Sequence, residues 1–276
     1  MEFHERESVG LYLDGLQIIE QHHSGLQEIC LYVHEQLGKV LVINGEIQHI
    51  ENYQCLYHEM LIHLPMSFLS APERAIIFGG GSLFAAKELL KYPSIKTVVL
   101  CDHDMTVIEM MKNHYRHAQE VLSDPRFQIV EADMRSYIDT EKAEYDIVVN
   151  DCLNLVKERT NSGVPLYNAL YAILANDGVC TDVIYRHIFD KETTIESIRQ
   201  LQKYANTCFA LVTVPEYPGI LHIQSIWGKN ALLGQDQKVG QNAALNDGII
   251  PLEYFDPTRL PFYLYLPPYV QHLFNK

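Results

Sequence analysis

Three glycines stand directly behind a short apolar run in Ala75-Ile76-Ile77-Phe78-Gly79-Gly80-Gly81. A buried strand that ends in bare backbone lets a ligand come closer than side chains would allow, and in doubly wound sheets a nucleotide sits at that strand end. About 20 residues on, Val98-Val99-Leu100-Cys101 runs into Asp102, an acid at the spacing that accepts both hydroxyls of a ribose. The next apolar run ends at Asp133, placed to accept the amino group of a base or to cap the helix that follows. A fourth run, Tyr145 to Asn150, delivers Asp151. Alkyl amines titrate near ~10, so a nucleophilic amine must lose a proton, and a carboxylate within hydrogen-bond reach orients it and helps carry that proton away. Capping is the plain structural alternative for Asp151 too. The triplet is followed by Ser82-Leu83-Phe84 and no spaced G-x-G-x-x-G, which disfavours a pyrophosphate cofactor and leaves a nucleoside of the S-adenosylmethionine type.

These residues need a sheet whose strand ends converge. Short apolar runs at Ala75–Phe78, Thr97–Cys101, Phe127–Val130, Asp146–Asn150 and Gly178–Ile184 alternate with helical patterns at about Leu83–Lys91, Met105–His117, Pro165–Leu174 and Glu192–Tyr204. That rhythm predicts an α/β, doubly wound Rossmann-like sheet of the S-adenosylmethionine-methyltransferase type, with Phe209–Val214 and Ile220–Trp227 extending it. The first ~70 residues read as a small N-terminal antiparallel β domain, with strands at Val9–Ile19, Glu28–Val33 and Lys39–Ile43 and a hairpin turn at Asn44-Gly45. The division predicted is residues 1–70 and 71–276, the latter with a loop or lid over Lys229–Asp247 and an aromatic, proline-rich tail.

At 276 residues, 47% hydrophobic and 20% charged, the chain can bury a sizeable core. No stretch approaches the ~20 apolar residues of a bilayer span, and Met1-Glu2-Phe3-His4-Glu5 lacks the basic start of a signal peptide, so a cytoplasmic enzyme without a membrane partner is expected. A net charge of −14 disfavours nucleic acid and suits a cationic substrate. The six cysteines are scattered singly, as buried free thiols would be. Thirteen histidines offer no paired ligand spacing: His22-His23 read as a polar turn, His114 and His117 as solvated helix residues, and no metal is expected.

The combination of Gly38-Lys39-Val40-Leu41-Val42-Ile43-Asn44-Gly45, Ile47-Gln48, Tyr57-His58-Glu59-Met60 and Phe78-Gly79-Gly80-Gly81 resembles the spermidine synthases, or aminopropyltransferases, from about Gln27 to Gly178. The resemblance implies that Gln27, His58, Gly79, Gly80, Gly81, Ser82, Asp102 and Asp133 surround the nucleoside. Asp151 would be the catalytic aspartate, and Tyr57, Asn154 and Tyr217 would line the amine side. It further implies a homodimer through the N-terminal sheet, no tightly bound cofactor, and decarboxylated S-adenosylmethionine as co-substrate for a small amine or polyamine.

The departures fall on the reactive half. Ser82-Leu83-Phe84 replaces the family's aspartate and two further glycines, removing the carboxylate that would hold the aminopropyl ammonium, an interaction of roughly 1.5–3 kcal/mol. Asn154 replaces a second aspartate, Tyr53-Gln54 an acidic pair, and Asp182 lies near the position of an expected glutamine. The expected activity is aminopropyl transfer to an amine other than, or less cationic than, the usual diamine. Methyl transfer, or another displacement on intact S-adenosylmethionine, and a degenerate nucleoside-binding relative are the alternatives.

Overall fold

The computed structural model describes residues 2–6, 9–152, 155–184, 191–204, 207–217, 221–230 and 242–275. An antiparallel pair, β1 (Glu2–Arg6) and β2 (Val9–Tyr12), precedes a four-stranded antiparallel sheet of β3 (Gln17–His23), β4 (Glu28–His34), β5 (Gly38–Ile43) and β6 (Glu46–Ile50) in chain order. The apolar pattern from Val9 to Ile19 is therefore two strands, because Gly15 takes a left-handed φ of 69° between them. His22 and His23 end β3 and do not form a turn. Asn44 and Gly45 turn β5 into β6 with φ of 51° and 80°, both positive as a tight hairpin requires.

Helix α1 (Cys55–Met66) follows, buried continuously from His58 to Met66. A helix buried on every side, polar residues included, carries no apolar stripe for periodicity to detect, so composition alone reads this stretch as more sheet. Beyond it lies a seven-stranded sheet of β7 (Arg74–Gly79), β8 (Thr97–Asp102), β9 (Phe127–Glu131), β10 (Tyr145–Asp151), β11 (Leu174–Ile184), β12 (Thr207–Val212) and β13 (His222–Gly228). Its spatial order is β12-β13-β11-β10-β7-β8-β9. The five strands from β11 to β9 are parallel, while β13 runs antiparallel to both β11 and β12. The chain winds from β7 outward to β9 and then returns to β10 on the other side of β7. The strand order therefore reverses between β7 and β10, where doubly wound sheets open a crevice at their carboxyl ends.

The crossover helices are α2 (Phe84–Leu90), α3 (Met105–His114), α4 (Arg116–Ser123), α5 (Met134–Thr140), α6 (Leu166–Ile173) and α7 (Lys191–Leu201). The single helix predicted over Met105–His117 breaks at Tyr115, which is extended with φ −127° and buries its ring. Successive residues of β7 feed opposite faces: Ala75 and Ile77 join α1, α2 and the inner residues Ile29, Leu31 and Leu41 of the first sheet, whereas Ile76 and Phe78 join α5, α6 and α7. Two-sided burial explains why the parallel strands read as unbroken apolar runs.

Of the stretch expected as a loop, residues 231–241 lie outside the described residues, and Ala243–Asn246 forms a helical turn. The tail is held to α1 by Glu59, whose carboxylate accepts the backbone N–H groups of Glu253 (2.8 Å), Tyr254 (2.8 Å) and Phe255 (2.7 Å). Phe255, Leu260, Val270 and Leu273 are buried, so the tail covers the core.

Candidate active site

A cavity of about 590 Å³ opens at the carboxyl ends of β7, β8, β9 and β10. Gly79, Gly80 and Gly81 form its floor. Gly79 and Gly80 have φ of 75° and 76°, which side chains rarely adopt, and a Cβ on Gly79 would stand 2.5 Å from the Cβ of Cys152. A Cβ on Gly81 would meet an Asp102 oxygen at 3.1 Å. Any larger residue would push the loop against the strand ends that carry the acids.

Asp102 ends β8, accepts the Asp104 N–H at 3.0 Å, and has its pKa raised by burial. Asp133 follows β9 and caps α5 by accepting the Arg135 N–H at 2.8 Å, while Arg135 also pairs with Asp133 at 3.3 Å and with Glu158 at 2.6 Å. Capping and cavity lining coincide in this residue. Gln27, at the tip of the β3–β4 hairpin, lines the cavity from the first sheet. That tip is fastened to α3: Ser24 donates to Asp104 at 2.6 Å, Ser24 and Gln27 both help hold the Asp104 carboxyl below its usual range, and Asp104 caps the helix by accepting the Thr106 N–H.

One helical turn of α1 distributes three jobs. Tyr57 donates its hydroxyl to Asp151 Oδ1 at 2.6 Å, His58 faces the cavity, and Glu59 turns away to the tail. The His58 Nδ1–H donates to the Gln54 carbonyl at 2.9 Å and burial pushes its pKa down to about 4, so at neutral pH the ring is uncharged and Nε2 is left as an acceptor. Asp151 ends β10 and turns toward α1. Burial raises its pKa to about 6, with the Tyr57 hydrogen bond pulling the other way and Asp102 adding to the rise. With Oδ1 engaged, Oδ2 lies toward the glycine loop, 3.4 Å from where a Gly80 Cβ would stand.

Ser82 lines the cavity, but Leu83 and Phe84 turn into the core. Leu83 is fully buried with a left-handed φ of 64°, a conformation that costs an L-residue roughly 1–2 kcal/mol. Phe84 lies against His49 (ring centroids 4.4 Å apart) and stacks on His117 (3.8 Å). His117 is half-buried, not solvated as the sequence suggested; burial lowers its pKa to about 4 and its Nε2–H donates to the Ser82 carbonyl at 3.0 Å. It thus holds the loop end that departs most from the family pattern. His114 likewise pairs with Glu20 of β3.

Some expected residues fall elsewhere. Tyr217 is half-buried with its ring 5.7 Å from His222, on the Tyr57 side and not in the 590 Å³ cavity. Asn154 lies outside the described residues. Asp182 sits inside the sheet on β11, 2% exposed, accepting the Ser225 hydroxyl, so it does not reach the cavity. All six cysteines are free and four are buried, but Cys55 is half-buried and Cys152 is exposed at the cavity, against the expectation of uniform burial. Sequence reasoning passed over Arg135 and Asp104, and also Glu216, which is 6% exposed, and it read His117 as solvated. Each acts through a backbone group or a charged neighbour that no spacing rule reveals. Among the described residues no cluster of metal-binding side chains occurs, and no helix is long and apolar enough to cross a membrane.

A switch-point cavity with glycine floor, ribose-spaced acid and buried carboxylate defines a nucleoside-binding transferase fold. Residues 54–237 match the spermine/spermidine synthase domain, and the chain belongs to that family. It is 27% identical over 257 residues to a polyamine aminopropyltransferase of Thermoanaerobacter sp. (strain X514), covering 91% of this chain and 89% of that protein. It is 30% identical over 207 residues to putrescine N-methyltransferase 2 of Nicotiana attenuata, covering 73% of this chain and 56% of that one. The crystal structure of spermidine synthase from Thermotoga maritima superposes with a TM-score of 0.88 at 25% identity, over 99% of this chain and 93% of that one. A spermidine synthase in complex with the transition state analogue AdoDATO superposes equally well.

Proposed function

We propose that this protein transfers the aminopropyl group of decarboxylated S-adenosylmethionine to an amine. The observation that carries the reading is the Tyr57–Asp151 pair, a buried carboxylate oriented at the edge of a nucleoside cavity. Asp102 and Gln27 would take the ribose, Asp133 the adenine amino group, and His58 Nε2 a donor hydrogen of the nucleoside. Gly79, Gly80 and Gly81 admit the sulfur to van der Waals contact, with Ser82 at the tail. The amine lone pair attacks the carbon beside the sulfonium, the carbon–sulfur bond breaks, and its electron pair stays on sulfur to give methylthioadenosine. Asp151 accepts a hydrogen bond from the amine and takes or relays the proton it sheds. Tyr57, occupying Oδ1, directs the free Oδ2 to this task, and Tyr217 would border the amine beyond Tyr57.

An acid held near 6 is ionised at neutral pH and still basic enough to receive a proton. Activity should therefore fall as pH drops through about 6. An Asp151→Asn variant should lose about 100-fold or more in kcat with methylthioadenosine affinity kept; turnover at the wild-type rate would sink the mechanism.

Ser82 and the likeness to a putrescine N-methyltransferase favour one second reading, methyl transfer from intact S-adenosylmethionine. Its product would be S-adenosylhomocysteine. We further propose a cytoplasmic homodimer joined through the first sheet, supported by Ile18, Ile19 and Val33 standing exposed on β3 and β4.

A further inference from the structure

Near the Tyr57–Asp151 pair, but not lining the nucleoside cavity, lies a carboxylate that the mechanism so far leaves idle. Glu216 follows β12 in the turn Val214-Pro215-Glu216-Tyr217, closed by the Tyr217 N–H donating to the Val214 carbonyl at 3.0 Å. It is 6% exposed, and its Oε1 accepts the backbone N–H of Ile50, the last residue of β6, at 3.0 Å. It stands close enough to Asp151 and Tyr57 for its charge to act on both, yet it does not line the nucleoside cavity. Among the described residues no cation acts on it; burial and the nearby Asp151 push its pKa up to about 7. A buried acid held by backbone amides, with no countercharge among the described residues, lacks the cation that would make its ionisation favourable.

We propose that Glu216 is a specificity-determining residue of the acceptor site, its carboxylate receiving the distal ammonium of a dicationic amine whose proximal nitrogen is held by Asp151. This rests on the aminopropyl-transfer reading and sharpens it: the acceptor remains a diamine or polyamine, although Asn154 gives up one acidic anchor. The two carboxylates divide the labour. Asp151, paired with Tyr57, faces the glycine loop and the reacting carbon; Glu216, pinned to the end of β6, reads the far charge. A monoamine would satisfy the first and leave the second buried without a partner.

The test compares binding of 1,4-diaminobutane and n-butylamine to the methylthioadenosine-loaded protein by calorimetry, in wild type, Glu216→Gln and Glu216→Asp. The Gln variant keeps an oxygen for the Ile50 N–H and loses only the charge. Wild type should prefer the diamine by about tenfold to a hundredfold. Glu216→Gln should abolish that preference while methylthioadenosine affinity stays unchanged, and Glu216→Asp should retain part of it. A diamine preference that survives in Glu216→Gln, or is absent from wild type, overturns the assignment. Because the readout is binding, it is independent of turnover: a protein that discriminates through Glu216 but releases no methylthioadenosine from the decarboxylated donor would refute aminopropyl transfer and leave the acceptor assignment standing.

Discussion

Ser82 lines the cavity where, on the proposed reading, the tail of the donor would end. The decarboxylated donor ends in an ammonium alone, whereas intact S-adenosylmethionine carries a carboxylate beside it. A serine neither attracts the first nor repels the second. Restoring the acid in Ser82→Asp should tighten the decarboxylated donor by about tenfold and weaken the intact one, measured as the ratio of their dissociation constants. An unchanged ratio would place the donor tail away from the glycine loop. The cavity acids themselves are legible in sequence, because Asp102, Asp133 and Asp151 each end an apolar run whose strand character is plain. Their partners are not. Tyr57 meets Asp151 across 94 positions, Glu216 meets the Ile50 N–H across 166, and His117 reaches the Ser82 carbonyl across 35; only the folded sheet brings these together.

Among the elements, α1 carries the most, since successive residues orient Asp151, face the cavity and anchor the tail. Glu59 alone satisfies three backbone N–H groups in a buried setting, so Glu59→Ala leaves all three without an acceptor. A loss of roughly 3–5 kcal/mol and of about 5–10 °C in Tm should follow, with new protease sensitivity near residues 250–260. Wild-type stability in that variant would mean the tail is held by its apolar contacts instead. The same helix marks where pattern reading stops. Its all-round burial hides it from periodicity, and only the resemblance carried by Tyr57-His58-Glu59-Met60 signals a helix there. The break at Tyr115 is equally silent, because it depends on a ring packing 5.7 Å from His49 and 6.2 Å from Phe84 in the tertiary structure. The parallel strands, by contrast, are found within a few residues of their bounds, since two-sided burial imprints an apolar run directly.

At the scale of the whole molecule, the protein buries acids it does not ionise cheaply. Asp182 is held inside the sheet with its pKa raised by burial to about 6. A carboxyl whose folded pKa exceeds its unfolded value binds a proton more tightly when folded; its contribution to stability is full below the unfolded value near 3.8 and is lost as pH rises through about 6. Asp182→Asn removes this dependence. Its stability relative to wild type should increase by roughly 1–3 kcal/mol between pH 5 and pH 8, followed by denaturant titration at both values. A pH-independent difference would show that the Ser225 hydrogen bond, not ionisation, governs the site. The net charge of −14 acts over longer range, drawing polycations toward the molecule, and added salt weakens that pull.

The most direct test of the central claim is mass spectrometry of the nucleoside released when the protein is incubated with decarboxylated or intact S-adenosylmethionine, each with and without 1,4-diaminobutane. The account predicts methylthioadenosine from the decarboxylated donor only, and only when the amine is present. S-adenosylhomocysteine from the intact donor, with no methylthioadenosine from the other, would contradict it and turn the same cavity to methyl transfer.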